Sequence, residues 1–376
     1  MKMRPVNASG ASRLQNNFNI LRFLAASLVI LSHGIELPSG LAARDWAHHL
    51  TGQPFSWYAV NLFFVLSGYL IYGSWDAKPS IVAFTKARCL RILPGLFVML
   101  VLCVVILGSV FSTIHFAQFI SSEPTLRYFV GCLSIIFTQM ELPGVFESNP
   151  LRAVNGSLWT LRYEIVCYAT VASLGVLGLL AIPTARRMVL LIGIAIAVTA
   201  TVWIEAQGLP LEGKVYITYQ LARLGLCFQL GCLYREFRVV VPRIEFAIAL
   251  VVMMFLTTET AAFTPVACLA VAHLAFWCAF VPNNHYCRLA RTAPDYSYGL
   301  YIYAFPVQQA LIATIQNASA PQVIVLGFII TLAFAAFSWH LIEKPALSLK
   351  EVPIFSRSKF ARAGTRLARK SWNKES

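Results

Sequence analysis

The sequence predicts an all-α integral membrane protein with about ten transmembrane helices and both termini in the cytoplasm. The chain is 58% hydrophobic and 12% charged, whereas about 25% of the residues in an ordinary soluble domain are charged. Apolar runs close to the roughly 20 residues that a bilayer crossing needs recur almost to the end of the chain. The loops between these runs differ sharply in their content of lysine and arginine, which predicts the orientation.

We place the ten spans by hydropathy at residues 18–36, 57–74, 92–111, 158–181, 188–204, 217–234, 244–258, 263–281, 297–315 and 322–342. The segment at residues 128–141 is apolar but shorter than the roughly 20 residues of a crossing. We interpret it as a re-entrant or interfacial helix inside a long external loop.

The distribution of cations supports this topology. Most lysines and arginines between the spans fall in segments that are internal if both termini are cytoplasmic. The external segments hold only Arg44, Arg127, Arg152 and Lys214. This bias is what the positive-inside rule predicts, and a full span at 128–141 would reverse it for every later loop. The net charge of +14 therefore has a topological origin and does not indicate a nucleic-acid partner.

Two regions are expected, a membrane domain at 1–345 and a basic cytoplasmic tail at 346–376. The stretch from Phe360 to Trp372 either lies on anionic lipid as a short basic helix or stays solvated and disordered. Nine cysteines are present, seven of them inside apolar segments, and none forms a Cys-x-x-Cys pair. We interpret them as core residues and predict no metal site.

The first apolar segment contains Arg22 and His33, eleven positions apart. Eleven residues return a helix to within about 20° of its starting direction and advance it by about 16 Å. The two side chains therefore share one face, and hydrocarbon penalises both of them. This arrangement predicts a polar passage that runs most of the way through the bilayer.

Glu164 is expected near the external end of the fourth span, at a depth similar to that of His33. A carboxylate beside an imidazole in a site of low dielectric is a general acid/base arrangement. A polar contact between buried helices is the alternative interpretation.

Arg88 and Arg91 lie three positions apart at the cytoplasmic start of the third span, and so share a helix face. Paired guanidinium groups suit phosphate binding because each offers two parallel donors. Arginines also flank spans as topological anchors, so both interpretations stay open here.

Several motifs occur together and in order along almost the whole chain. They are Arg22-x10-His33, Val60-Asn-Leu-Phe-Phe-Val-Leu-Ser-Gly-Tyr-Leu70, Arg88-x-x-Arg91, Ser157-Leu-Trp with Glu164, Phe228-Gln-Leu-Gly-Cys-Leu233, Ser297-Tyr-Gly-Leu-Tyr-Ile-Tyr303 and Ile342-Glu-Lys-Pro345. From about residue 16 to 345 the chain resembles the acyltransferase 3 family of bacterial integral-membrane acyltransferases.

The resemblance implies O-acylation, most often O-acetylation, of a carbohydrate at the bacterial inner membrane. It implies acetyl-CoA, or another acyl-CoA, as the cytoplasmic donor, with no permanently bound cofactor. O-antigen, exopolysaccharide, capsule and peptidoglycan all remain open as the acceptor, and so does the oligomeric state.

By the same resemblance, His33 and Glu164 are the expected catalytic residues. Arg22, Arg88 and Arg91 are expected to bind the donor. A further set of motif and intramembrane residues is expected to support the site: Asn61, Ser67, Ser157, Trp159, Arg223, Tyr298 and Tyr303.

The chain departs from the family pattern at three places, at Asn61, Tyr69 and Tyr303. Asn61 stands where an aspartate often precedes Leu-Phe-Phe, Tyr69 replaces a common phenylalanine, and Tyr303 lies where many members carry a histidine. These departures leave the class intact and the acceptor open.

Two other intramembrane residues need partners. Arg223 is expected either in the site or in a buried ion pair with Glu164 or Glu259. His273 is interpreted as a satisfied core histidine.

A secondary transporter is the alternative function, because ten spans with charged residues near the midplane also describe that class. A transporter favours broken helices around one central site. Here the arginines and the predicted His33–Glu164 pair lie at opposite ends of one passage, which favours the enzyme.

Overall fold

A computed structural model describes residues 16–41, 43–137, 139–237, 243–280 and 293–352 of the chain. Within these ranges the protein is helical, and the only β pairing is an isolated bridge between Ser112 and Val145. The cations of the tail beyond residue 352, and those at 238, 288 and 291, lie outside the described residues. The interpretation of Phe360–Trp372 also falls there.

Each of the ten apolar segments contains a helix. In chain order these are α1 Phe18–Glu36, α2 Phe55–Ala77, α3 Ile81–Leu102, α4 Leu161–Val176, α5 Pro183–Ala206, α6 Gly213–Glu236, α7 Ile244–Leu256, α8 Phe263–Phe280, α9 Ser297–Thr314 and α10 Ala320–Ser338. Two of them continue through a π-helical turn. Helix α3 continues through Cys103–Leu107 to Phe111, and α10 through Trp339–Glu343 to Ser348.

Six of the helices in the described residues are long and apolar enough to cross a bilayer, namely α1, α2, α3, α5, α8 and α10 with their extensions. The chain is thus a multi-pass membrane protein by length and composition. Helix α7, at 13 residues, is short for a crossing. Helices α6 and α9 carry buried polar side chains such as Arg223 and Gln308, which face protein rather than lipid. Ten crossings and cytoplasmic termini stay predictions.

The short helix expected at 128–141 lies earlier in the chain, at Glu123–Ser134. It begins at Ser122, whose side chain accepts the amide of Thr125, and ends at Ile135, which adopts a left-handed conformation with φ of 67°. Its exposed side includes Leu126 and Val130. At 12 residues the helix is too short to cross, which agrees with an interfacial position.

The bundle centre is packed so closely that backbones touch. A Cβ on Gly68 of α2 would lie 1.9 Å from the carbonyl oxygen of Phe228 in α6, and one on Gly231 would lie 2.1 Å from that of Val65. Close approach through small residues is the usual means by which membrane helices associate. These two glycines bring α2 and α6 together beside the site.

The region around the predicted domain boundary at 345 is continuous helix. Helix α10 passes through its π turn at Trp339–Glu343 into Lys344–Ser348, followed by a 3₁₀ turn. Lys86 of α3 donates a hydrogen bond to the carbonyl of Val352, so the start of the predicted tail packs on the bundle.

The topology leads to a labelling prediction. A cysteine at Ser148 should react with an impermeant thiol reagent added outside intact cells, whereas a cysteine at Lys78 or Lys350 should not. All three residues are exposed, so protection reports the side of the membrane rather than burial. The nine native cysteines are replaced first. Protection at position 148 would contradict the long external loop.

Candidate functional site

A cavity of about 150 Å³ lies in the bundle where α1, α2, α3, α4 and α9 meet. Six of the residues singled out by sequence line it: Arg22, Ser67, Arg88, Arg91, Glu164 and Tyr298. They come from five helices that are far apart in the chain. The cavity includes Arg22 but not His33, so a polar passage from one to the other stays a prediction.

Asp295, just before α9, joins two of these arginines. Its Oδ2 accepts from Arg22 Nη1 at 3.0 Å and from Arg91 Nη2 at 2.8 Å, and Ser297 donates to Oδ1. Burial alone would raise the pKa of the Asp295 carboxyl group. The guanidinium groups of Arg91 and Arg22 outweigh this effect and lower the pKa below its usual value, to about 2. Asp295 is therefore ionised at neutral pH and offsets part of their charge.

Arg91 also pairs with Glu343, at 3.5 Å between Nη1 and Oε2. Ser338 donates to the other carboxylate oxygen of Glu343 at 2.9 Å. The Arg91 guanidinium lies over the rings of Tyr298 and Trp339, at 5.6 and 6.0 Å. Two carboxylates and two rings thus fix Arg91 in place.

Arg88 has a different environment. It donates to Ser74 Oγ at 3.3 Å and lies over the rings of Phe84 and Tyr168. Its Nε is buried and has no hydrogen-bond partner, and within the described part of the chain no carboxylate forms an ion pair with it. The two arginines of the motif are therefore not equivalent, because Arg91 forms ion pairs with two carboxylates and Arg88 forms none with the described residues.

Glu164 lies on the cavity wall rather than beside His33. Its Oε1 accepts from Ser67 at 3.4 Å and, by a short hydrogen bond, from Tyr168 one turn further along α4. Where the structure describes side chains, no contact within 4 Å joins His33 and Glu164. The predicted contact is wrong because these two hydroxyl groups hold the carboxylate among the residues that line the cavity.

His33 lies on α1 eleven residues after Arg22 and does not line the cavity. Its Nδ1 is 3.8 Å from Glu36 Oε2, and its ring meets Phe305 edge to face at 5.3 Å between centroids. Tyr301, one turn before Phe305 on α9, lines the cavity and forms a 2.7 Å hydrogen bond with Thr160, another lining residue. Helix α9 thus contacts the cavity through Tyr301 and His33 through Phe305.

Two predicted supporting residues, Asn61 and Arg223, contact each other away from the cavity. Arg223 is 1% exposed and donates to Asn61 Oδ1 at 2.5 Å and to Gln220 at 2.6 and 3.0 Å, with its guanidinium over the Trp57 ring. The expected ion pair with Glu164 or Glu259 is wrong, because neutral oxygens take all of these hydrogen bonds.

The remaining predicted residues occupy the cavity's surroundings. The carbonyl of Ser157 accepts from Tyr301 at 2.8 Å, while its hydroxyl is buried without a partner. Trp159 packs against Tyr163, 5.7 Å between ring centroids. Tyr303 stacks on Phe334 and lines a separate apolar cavity, which leaves it outside the candidate site.

His273 has partners at both ring nitrogens, Tyr234 OH at 2.6 Å and the carbonyl of Arg243 at 3.1 Å. The expected hydrogen-bond partners are therefore present, although His273 is half-buried rather than in the core. In the described residues, no three side chains of the metal-ligating types come together.

Comparison with known proteins decides the family. The family model for the acyltransferase domain of acyltransferase 3 proteins matches residues 15–340. The chain belongs to the acyltransferase 3 family. It is accordingly an enzyme that transfers acyl groups.

Two relatives of this acyltransferase cover nearly its whole length. An O-acetyl transferase of Shigella phage Sf6 is 26% identical over 334 residues, which are 89% of this chain and 96% of the relative. Nodulation protein 10 of Rhizobium leguminosarum bv. viciae is 26% identical over 380 residues, which are 93% of this chain and 97% of the relative. No solved structure matches this acyltransferase.

Proposed function

We propose that this acyltransferase moves an acetyl group from cytoplasmic acetyl-CoA to a hydroxyl group of a cell-envelope or secreted carbohydrate at the bacterial inner membrane. The observation that carries the proposal is the position of Arg88 and His33 relative to the cavity. Arg88 lines the cavity without a carboxylate of the described residues in an ion pair with it, and His33 lies on α1 eleven residues after Arg22, which also lines the cavity.

The donor enters this proposal at Arg88. Coenzyme A carries its phosphates at one end and its thioester at the other. A guanidinium with no carboxylate in an ion pair within 4 Å is suited to the phosphates, because it offers charge and paired donors. The ion network of Arg22, Arg91 and Asp295 would shape the wall along which the pantetheine arm passes.

Chemistry in this proposal takes place at His33. As a general base it would accept the proton of an acceptor hydroxyl, whose oxygen then attacks the thioester carbonyl. The carbon–sulfur bond breaks, and the coenzyme A thiolate takes up a proton. Transfer through an acyl group carried by His33 itself is the other route that this geometry allows. Tyr301 lines the cavity and Phe305, one turn later on α9, contacts His33, so the acyl group would pass these two rings.

In this proposal Glu164 contacts the bound acetyl-CoA. It lines the same cavity as Arg88 and faces the path of the thioester, held by Ser67 and Tyr168. We therefore place it among the groups that contact the bound donor rather than as the partner of His33.

The carbohydrate acceptor is supported by the family and by the phage O-acetyl transferase. The test compares the glycans of a deletion strain with those of its parent by mass spectrometry. The proposal predicts the loss of one acetyl group per repeat unit of a single glycan, restored by the wild-type gene. Identical acetylation of O-antigen, exopolysaccharide, capsule and peptidoglycan in both strains would contradict it.

A further inference from the structure

The last turn of α1 carries a buried carboxylate that no sequence motif singled out. Glu36 is 6% exposed and lies three residues after His33, so both side chains share a helix face. Its Oε2 is 3.8 Å from Nδ1 of His33, and that nitrogen is itself buried without a hydrogen-bond partner.

A carboxylate at this position is disfavoured for two reasons. The C-terminal end of a helix carries partial negative charge, which repels an anion there. Burial also removes the water that would otherwise solvate the charge. Across the described residues, no lysine or arginine forms an ion pair with Glu36, and His33 is the one group of opposite potential charge within 4 Å.

Two other polar side chains lie near this turn and form hydrogen bonds, although Oε1 of Gln308 is buried without a partner in the part of the chain that the structure describes. Asp45 accepts from Ser32 at 2.7 Å, from the amide of Phe55 at 2.8 Å and from the amide of His48 at 3.0 Å. The side-chain amide of Gln308 donates to the carbonyl of Ile30 at 2.8 Å. Neither of them pairs with His33, which leaves Glu36 as its carboxylate.

We propose that Glu36 is the positioning residue of His33, in the role that the sequence suggested for Glu164. This inference rests on the proposed function. A small rotation brings Nδ1–H of His33 within hydrogen-bond distance of Glu36, which fixes the tautomer and leaves Nε2 to accept a proton. The carboxylate then stabilises the imidazolium that forms.

The test compares Glu36→Gln with Glu36→Asp, and both with Glu164→Gln. Glu36→Gln should lower kcat by roughly 10²-fold or more, since it removes the charge that orients and stabilises the imidazolium. The KM for acetyl-CoA should stay unchanged, because Glu36 does not line the donor cavity. The acidic limb of the pH–rate profile should move to lower pH, and Glu36→Asp should restore part of kcat.

Glu164→Gln should instead raise the KM for acetyl-CoA and leave the pH limb in place. Glu259→Gln, at an exposed position, serves as the control with wild-type kinetics. Wild-type kcat and pH profile in Glu36→Gln, with His33→Ala inactive, would overturn this inference alone. An active His33→Ala would instead overturn the proposed function. A loss of kcat in Glu36→Gln without the pH shift would also count against Glu36, because a merely structural defect would produce it.

Discussion

Replacement of His33 by alanine is expected to abolish acylation while the protein stays at normal abundance in the membrane. Loss of a positioned acid or base costs about 10²- to 10⁴-fold in rate, and loss of an acyl carrier would remove that route entirely. The fold should tolerate the change, because His33 is one-fifth exposed and contributes a single aromatic contact with Phe305. Acetyl ester on the glycan of a complemented deletion strain is the measurement.

The control for this variant is His49→Ala. His49 is exposed in the short helix Trp46–Thr51, so its loss should leave acetylation at the wild-type level. Near-wild-type acetylation by His33→Ala, at equal membrane abundance, would remove His33 from the mechanism.

Arg88→Ala and Arg91→Ala should affect different properties, donor binding in the first variant and stability of the fold in the second. Arg88→Ala should weaken donor binding by about 1.5–3 kcal/mol, the value of one charge-assisted contact, or roughly 10- to 150-fold in affinity. Its thermal stability should change little, because no carboxylate depends on it. Arg88→Lys should rescue binding in part, since it keeps the charge and loses the paired donors.

Arg91→Ala should instead destabilise the fold. It leaves Glu343 without its cation, and Asp295 keeps only Arg22. Removing one partner of a largely buried ion pair costs about 3 kcal/mol or more. Thermal unfolding in detergent and equilibrium binding of acetyl-CoA separate the two effects, with the exposed Lys78→Ala as the control. An unchanged donor dissociation constant in Arg88→Ala would reduce Arg88 to a topological anchor.

The helices could be predicted from sequence because hydropathy and length determine them almost alone. Every segment proposed as a span contains a helix, including those whose polar residues point into the bundle. The first and last residues of the helices were less predictable. The helix proposed at 128–141 begins at Glu123, because Ser122 caps it, and stops at Ile135, where the backbone turns left-handed.

The residues around the cavity were predictable from motifs, whereas their partners were not. Arg22, Arg88, Arg91 and Glu164 do line one cavity. The partner of a side chain depends on helix rotation and on competing hydrogen-bond donors, and depth along a helix specifies neither. Glu164 lies in the cavity with Arg88 rather than beside His33, and its hydrogen bonds come from Tyr168 and Ser67.

Asp295 and Glu36 were missed for different reasons. Asp295 precedes the Ser297–Tyr303 motif in a loop, and its pairing with Arg22 spans most of the chain. Glu36 could have been found, because a glutamate three residues after the histidine shares its helix face. A buried acid at the C-terminal end of a helix is itself a signal that sequence analysis can use.

Thioester consumption coupled to ester formation tests the central claim most directly. The purified protein in detergent receives acetyl-CoA labelled in the acetyl group, together with the glycan of the deletion strain. The account predicts that free coenzyme A thiol and labelled acetyl ester appear in equal amounts with the wild type, and that neither appears with His33→Ala. Intact acetyl-CoA in the presence of folded wild-type protein and a glycan that is acetylated in the parent strain would contradict it.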